Sequence, residues 1–313
     1  MPKSPVWFDC DTGIDDALAL AQLAASPSID LVGVSTVSGN IDAAQAARNT
    51  LDLLALLGRD DVPVAVGSHD PLVGKYAGGA PEVHGGNGIG DVQLARSPRE
   101  VQTRSGVEEL LAAARAHAGE LHLIAVGPLT NLAHALVQEP ELPSLVKHVT
   151  IMGGAVWVPG NLTAHAEANI ANDAEAARIV FRAGWPVTLV PLDVTHAHTF
   201  DTTAYEALLA RDTALHKALA GMLDCYLSFH ETRHGVRASA LHDPLATMLA
   251  TGAVEASTVR STGLVVDTTE EQTRARTLAV EVDALHPVVD VVTEVADPVG
   301  PRLLELLLAL PGR

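Results

Sequence analysis

Short runs of β-branched residues alternate along this chain with longer stretches rich in alanine and leucine, the pattern of strand-helix-strand units around a mostly parallel sheet. Strands are predicted over residues 6–9, 31–37, 62–66, 121–126, 149–152 and 187–190. Helices are predicted over 15–25, 43–57, 106–118, 129–137, 173–183 and 214–232. After Thr258 the pattern changes, and residues 264–267 and 277–282 flank a charged segment with Glu270 and Glu271 that reads as a solvent-facing hairpin. No repeat, low-complexity tract or Pro/Ser-rich linker interrupts the chain, so residues 1–313 are expected to form one α/β domain. Its sheet should be open, mostly parallel and flanked by helices, with a C-terminal β-hairpin. Two stretches are long and irregular: 67–91, glycine-rich and carrying His84, and 230–241, with His230 and His234. Such loops in an α/β domain tend to bind or cover ligands.

Composition narrows the partners. The chain has 313 residues, 48% of them hydrophobic, enough for a large core, and disorder is excluded. A net charge of −18 argues against nucleic acid or an anionic membrane surface as the partner and suits a small uncharged or cationic ligand. Two cysteines, Cys10 and Cys225, make neither a disulfide framework nor a zinc site, which reads as a reduced, cytoplasmic chain. No apolar targeting or membrane-spanning run is visible. With three Trp, three Tyr and four Phe, the core must be aliphatic, and any aromatic in a pocket is a candidate contact.

The segment Asp9-Cys10-Asp11-Thr12-Gly13-Ile14-Asp15-Asp16 sets four carboxylates at the carboxyl end of the first strand. Strand alternation puts Asp9 and Asp11 on one face, Gly13 permits a tight turn, and Asp15 and Asp16 open the helix, so all four are expected to aim at one spot. The nearest basic residue in sequence is Lys3, which leaves a bound cation as the way to stabilise them. Donors that are all oxygen suit Ca²⁺ or Mg²⁺ rather than Zn²⁺. An EF-hand is excluded, because Ile14 and Leu20 stand where its glycine and glutamate belong. Any single aspartate could equally cap the helix or sit solvated at the strand end; the four together favour the metal. In open α/β sheets this edge is also where ligands bind.

Here the chain resembles the inosine-uridine type nucleoside hydrolases, whose signature is a DxDxGxDD segment near the N-terminus. Further pieces follow in the family's order: Gly39-Asn40, Val83-His84-Gly85, Gly127-Pro128-Leu129-Thr130-Asn131, Met152-Gly153-Gly154-Ala155, Gly160-Asn161, Glu167-Ala168-Asn169 and Leu241-His242-Asp243-Pro244. The resemblance covers about residues 5 to 250. It implies a Rossmann-like core, a Ca²⁺ cofactor held by Asp11, Asp16, the main-chain carbonyl of Thr130 and Asp243, and Asp11 as the water-activating base. It implies ribose contacts from Asp15, Asn40, Asn161, Glu167 and Asn169, a leaving-group acid at His242, a substrate-binding role for His84, and a homo-dimer or homo-tetramer. The implied activity is hydrolysis of the N-glycosidic bond of purine or pyrimidine ribonucleosides, in nucleoside salvage.

Those residue types suit that chemistry. Departure of a base through an oxocarbenium-like sugar needs negative charge near the anomeric carbon, an activated water and a proton for the base. Water near a divalent ion is more acidic, and a carboxylate such as Asp11 can take its proton. Asn40, Asn161, Glu167 and Asn169 offer amides and carboxylates to ribose hydroxyls, so 2′-deoxyribosides should be poor substrates. Where many family members carry phenylalanine between the Glu and Asn, this chain has Ala168. The purine-specific branch sandwiches its base between tryptophans; Trp157 lies near a motif here, while His242 before Asp243 matches the less selective branch.

Blander readings stand beside these. His84 and His242 could be structural, His230 and His234 solvated in a loop, and Thr130 or Asn131 a helix cap after Pro128. Gly85 to Gly90 neither follows a strand nor opens a helix as a dinucleotide loop does, and reads as a flexible flap. Cys10 reads as a buried thiol. Asp9-Cys10-Asp11-Thr12-Gly13 also approaches the nucleophile motif of haloacid dehalogenase-type Mg²⁺ phosphatases, but lysines are confined to Lys3, Lys75, Lys147 and Lys217, few for an anionic substrate. A non-catalytic Ca²⁺-dependent nucleoside or sugar binding protein is the third reading; the presence of both Asp11 and His242 argues against it.

Overall fold

The computed structural model describes residues 3–311. The chain runs β1 (Ser4–Cys10), α1 (Ile14–Ala25), β2 (Ile29–Thr36), α2 (Ala43–Leu56), β3 (Val64–Val66), the single turn α3 (Pro81–His84) and α4 (Gly106–Ala116). Then come β4 (Leu121–Ala125), α5 (Thr130–Gln138), α6 (Leu142–Leu145), β5 (Val146–Met152), α7 (Ala168–Asn172), α8 (Ala174–Phe181) and β6 (Val187–Val190). The last part holds α9 (Leu192–Thr195), β7 (Thr199–Asp201), α10 (Thr202–Leu209), α11 (Ala214–His234), β8 (Ala238–Ala240), α12 (His242–Ala250), β9 (Ala256–Val266), β10 (Thr277–Val280), β11 (Val289–Val295) and α13 (Val299–Leu308).

Nine strands form the main sheet in the order β10-β9-β11-β6-β5-β4-β1-β2-β3. From β3 to β11 neighbouring strands are parallel, and β9 and β10 add an antiparallel edge. Parallel strands must be covered on both faces, and the side chains of β1 show how. Val6, Phe8 and Cys10 enter the core under α1, α11, α12 and α13, while Trp7 enters the core under α4, α5 and α8. Helix α1 is buried from Ile14 through Leu23 because it is enclosed by other helices, so an apolar sequence all round suits it.

Strand β1 pairs with β2 on one side and β4 on the other, so the chain leaves it in two directions. Beyond the carboxyl ends of those strands a crevice must open, and ligands of open α/β sheets sit there. The acidic segment lies at that crevice.

Three expectations are corrected. The C-terminal region is more than a solvent-facing hairpin: β9 and β10 pair antiparallel, but Leu264, Val266 and Thr277 are buried, and β11, unforeseen, inserts between β9 and β6. Asp290, Thr293 and Glu294 interrupt its apolar run, which hid a strand buried at its four valines. His230 and His234 lie not in a loop but on the last turns of α11, which ends only at Gly235 with φ 74°. Gly85 to Gly90 is no flap: the Asn87 side chain accepts from the Ile89 and Asp91 amides, and Ile89 is buried in the core. Among the described residues no helix is long and apolar enough to cross a membrane.

Candidate active site

Strand β1 stops at Cys10 because the next residues turn into helix α1. Asp16, at the third helical position, accepts from the main-chain N–H of Gly13 at 2.7 Å and of Asp11 at 3.1 Å, so it fastens the turn as an N-terminal carboxylate should. The capping reading is therefore correct for Asp16, and it places the same carboxylate at the crevice. Asn40, after β2, donates its main-chain N–H to Asp11 Oδ2 at 2.7 Å and its side-chain amide to Asp16 Oδ2 at 3.2 Å. A side chain at Gly39 would overlap the Asp11 carboxylate, and one at Gly13 would meet Asn40 Nδ2 at 2.6 Å and His84 Nδ1 at 2.7 Å. Both glycines are needed for that close approach.

Asp243 arrives at the start of α12, and Asp15, Asp16 and Asp243 each offer a carboxylate oxygen within 4.8 Å of the others. All three, with Asp11, are buried, and Asp11 Oδ1 and Asp15 Oδ1 have no hydrogen-bond partner. Burial and then repulsion from neighbouring carboxylates hold Asp11 and Asp243 well above the ordinary carboxylate range and lift Asp15 to about 8, while burial raises Asp16 against the hydrogen bonds it accepts. Among the described residues no basic side chain is a main counterweight to the repulsion. Buried like charges ionise together only around a cation, and an all-oxygen donor set fits a hard divalent ion.

Asp9 does not join the cluster, contrary to the expectation of four converging aspartates. It turns toward α5, where Oδ2 accepts from the Ser35 hydroxyl and from Asn131 Nδ2 at 2.8 Å, and burial raises it to about 7. Asn131 also donates to the Thr36 carbonyl at 3.0 Å and accepts from the Ser68 amide at 2.8 Å, tying α5 to β1, β2 and the loop after β3. Neither Asn131 nor Thr130 caps α5: the cap is Leu129, without a side-chain bond, and the Thr130 hydroxyl donates to Asp173 Oδ2 at 2.7 Å. Cys10 is buried, its thiol pushed well above the usual range.

The Glu167 carboxylate caps α7, accepting from the amides of Asn169 at 2.8 Å, Ile170 at 3.1 Å and Gly154 at 2.9 Å. Asn169 spends its amide hydrogens on the main-chain carbonyls of Val126 at 2.7 Å and Met152 at 3.3 Å. Asn161 is exposed, its Oδ1 accepting from the Ala168 amide at 3.0 Å. The loop that carries it is anchored by Asp193, which receives the amides of Val156 and Trp157. Neither tryptophan lines a base sandwich: Trp185 is buried and donates to the Val180 carbonyl, and exposed Trp157 lies under Arg260 at 4.9 Å.

Histidines lie beside these carboxylates. His84 is buried and accepts the Ile14 amide on Nδ1 at 3.1 Å, so its proton sits on Nε2; burial, then His230, lowers its pKa to about 3. His242 Nδ1 is 2.8 Å from the Thr195 hydroxyl, and burial with His196, His230 and His84 lowers it to about 3. Tyr226, His230 and His234 follow at helical spacing on α11: the Tyr226 ring lies 5.5 Å from His84 and 5.0 Å from His230, which stacks 5.5 Å from His234. The Tyr226 phenol is held far up by burial and then by the charges of Asp15, Asp243 and Asp16. His230 Nε2 is buried without a partner. Sequence reasoning missed Tyr226, Thr195 and Asp173; only the four-residue spacing of Tyr226, His230 and His234 was visible in the chain.

The comparisons with known proteins follow that geometry. Residues 6–299 match the inosine-uridine preferring nucleoside hydrolase family. Uridine nucleosidase 1 of Arabidopsis thaliana is 38% identical over 240 residues, covering 76% of this chain and 71% of the relative. The pyrimidine-specific ribonucleoside hydrolase RihA of Citrobacter koseri is 38% identical over 241 residues, 77% of each. A purine-preferring ribonucleoside hydrolase from Gardnerella vaginalis superposes with a TM-score of 0.92 at 32% identity over 98% of both chains. A cluster of buried aspartates beside histidines that burial keeps neutral, within a fold shared over 98% of the chain, thus places this chain in the inosine-uridine preferring nucleoside hydrolase family, as a nucleoside hydrolase.

Proposed function

We propose that the protein is a Ca²⁺-dependent ribonucleoside hydrolase that splits the N-glycosidic bond into ribose and free base, with uridine the first substrate to test. The observation that carries the reading is the cluster of Asp15, Asp16 and Asp243, whose carboxylate oxygens lie within 4.8 Å of one another and in which Asp15 Oδ1 is buried without a partner; Asp11, outside that triad but repelled by Asp16 and Asp15, leaves its own Oδ1 equally unpartnered. In this reading Asp11, Asp16, Asp243 and the Thr130 main-chain carbonyl hold the ion; the Thr130 hydroxyl is already committed to Asp173. A bound divalent ion supplies the charge that keeps these carboxylates ionised and makes an adjacent water more acidic.

Asp11 takes the proton of the attacking water, and its position is kept by the Asn40 amide. Asp15, Asn40, Asn161, Glu167 and Asn169 face the ribose. Glu167 has given three contacts to main-chain amides, so it meets a sugar hydroxyl as a rigid acceptor. Around the anomeric carbon the aspartates favour positive charge in the sugar. In this reading the Thr195 hydroxyl, 2.8 Å away, donates to Nδ1 of the neutral His242, which leaves Nε2–H for the departing base. His84 donates from Nε2 on the same side, and Tyr226, His230 and His234 line the base end.

The relatives named for uridine and pyrimidine ribonucleosides, and the absence of a tryptophan sandwich, support the substrate choice. The phosphatase reading is not favoured, since the buried Asp9 carboxylate is turned toward Ser35 and Asn131. The proposal extends to one domain over residues 1–313, a cytoplasmic salvage role and a homo-dimer or homo-tetramer. The test is release of ribose from a panel of purine and pyrimidine ribonucleosides, before and after chelation and on adding Ca²⁺ back. Turnover lost on chelation and restored by Ca²⁺ is expected; turnover indifferent to chelator overturns the metal assignment, and no ribose from any member overturns the reaction.

A further inference from the structure

At the other end of the sheet, under the last turn of α12, lies a cavity of about 310 Å³ that the reaction does not use. Its floor is the sheet face that elsewhere carries apolar side chains, and there the pattern breaks. His122 on β4 stands directly beside His148 on β5, and one step along Thr150 on β5, Thr188 on β6 and Asp290 on β11 form a row across three strands. A parallel sheet covered on both faces ordinarily presents Val, Ile and Leu at such positions. Polar groups there need a partner, because burying one unpaired is unfavourable by about 1–3 kcal/mol.

The partners account for half of each group. His122 Nε2 pairs with the Thr150 hydroxyl at 2.9 Å, and His148 Nε2 with the Thr188 hydroxyl at 2.9 Å. Asp290 Oδ1 accepts from Ser261 at 2.6 Å. Among the described residues no partner is recorded for Nδ1 of either imidazole or for Asp290 Oδ2. Burial lowers His122 to about 3 and also lowers His148, so both rings are neutral and carry one donor and one acceptor nitrogen each. The two rings meet edge to face at 5.2 Å. Glu255 at the rim adds a second carboxylate, and no lysine or arginine lines the cavity. The volume is at the lower end of small-molecule pockets, the walls are aliphatic (Leu249, Val254, Val292), and the charge rejects anions.

We propose that this cavity is a second binding site, for an amino-substituted nitrogen heterocycle of nucleobase size. Its exocyclic amine donates to Asp290, its ring nitrogens pair with the imidazoles of His122 and His148, and its faces pack between the aliphatic walls. The whole length of α12 separates it from Asp243, so it is distinct from the hydrolytic crevice. The same donors and acceptors set the selectivity: an oxo group in place of the amine would face the Asp290 carboxylate lone pair to lone pair.

The test uses the Ca²⁺-treated full chain with ¹³C-labelled histidine rings, assigned with His122→Phe and His148→Phe. Cytosine and adenine are titrated in, with uracil, hypoxanthine and inorganic phosphate as comparisons. Saturable shifts of both ring signals with the amino bases are expected, weakened about tenfold by Asp290→Asn. Ala256→Trp, which fills the cavity from its rim, should abolish the shifts, while both variants hydrolyse a ribonucleoside within about twofold of the parent rate. No saturable shift with either amino base overturns the site. Equal shifts with uracil or phosphate, or full affinity in Asp290→Asn, overturn the ligand class. A chain that splits no riboside yet shows the shifts would sink only the hydrolase reading.

Discussion

The two ends of one sheet treat polar groups in opposite ways. At the carboxyl ends of the strands, Asp11, Asp15, Asp16 and Asp243 share a sign, repel one another and leave Asp11 Oδ1 and Asp15 Oδ1 without partners. At the other end, His122, His148, Thr150 and Thr188 are neutral, of mixed donor and acceptor character, and paired across neighbouring strands. Ends of strands differ from their middles because the chain must leave the sheet there. Loops can bring carboxylates from β1, α1 and α12 to one place, whereas a polar group within the ladder can meet only its register neighbours. The first arrangement is unstable until something positive arrives, which is what a metal-dependent site requires. The second is half satisfied and carries little net charge among its rings and hydroxyls, which suits a ligand matched by shape and hydrogen bonds.

The largest expected contrast is catalytic. Asp11→Asn should lower kcat for ribose release by about 10³-fold, the scale of losing a general base together with charge at the ion, while His122→Phe stays within about twofold. Steady-state kinetics on both variants, with circular dichroism to confirm folding, would break the contrast if the two fell together.

Next comes the response to pH. In the metal-stripped protein Asp15, raised to about 8, and Asp9, raised to about 7, bind protons more tightly folded than unfolded. Their contribution is present below about pH 4 and is lost as pH rises through 7 and 8, so Tm should fall over that window and Ca²⁺ should flatten the fall. His122, lowered to about 3, has the opposite sign: its contribution is present above about pH 6.5 and is lost as pH drops toward 3. Thermal melts of the stripped, Ca²⁺-treated and His122→Phe proteins across pH 4 to 8 check both slopes. A stripped protein that gains stability as pH rises from 7 to 8, above the histidine window, would contradict the account of the carboxylate cluster.

A smaller effect concerns the sugar. Omitting the 2′-hydroxyl leaves one rigid buried acceptor or amide unpaired, about 1–3 kcal/mol, so kcat/KM for 2′-deoxyuridine should be roughly 10- to 100-fold below that for uridine. Equal efficiency would remove the amide and carboxylate set from the ribose. The smallest change is Thr188→Val, which strands His148 Nε2 and should lower unfolding stability by about 1–2 kcal/mol in urea melts with no change in turnover.

Particular residues show where reading the chain succeeds and fails. Asp11, Gly13, Asp15 and Asp16 were legible together because a strand-turn-helix passage is local, and the structure keeps them at the crevice. Asp9 was read with them from strand alternation alone, yet Asn131, far along the chain, captures its carboxylate on the other side. His230 and His234 were read as loop residues because the polar end of α11 carries no apolar stripe to mark it as helix. The row of Thr150, Thr188 and Asp290 had no signature at all: each is a single polar residue in an apolar run, and only the register of three strands lines them up.

The linear chain alone determined the alternating architecture, the acidic turn after the first strand and the kind of ion that oxygen donors would welcome, because periodicity and neighbouring residues act over a few positions. Only folding in three dimensions decided that Asp243 meets Asp15 and Asp16, that the Tyr226 ring packs against His84, and that two histidines share a cavity beneath α12. Those encounters depend on strand order and on how helices cross the sheet, and these follow from burying one large aliphatic core from both faces at once.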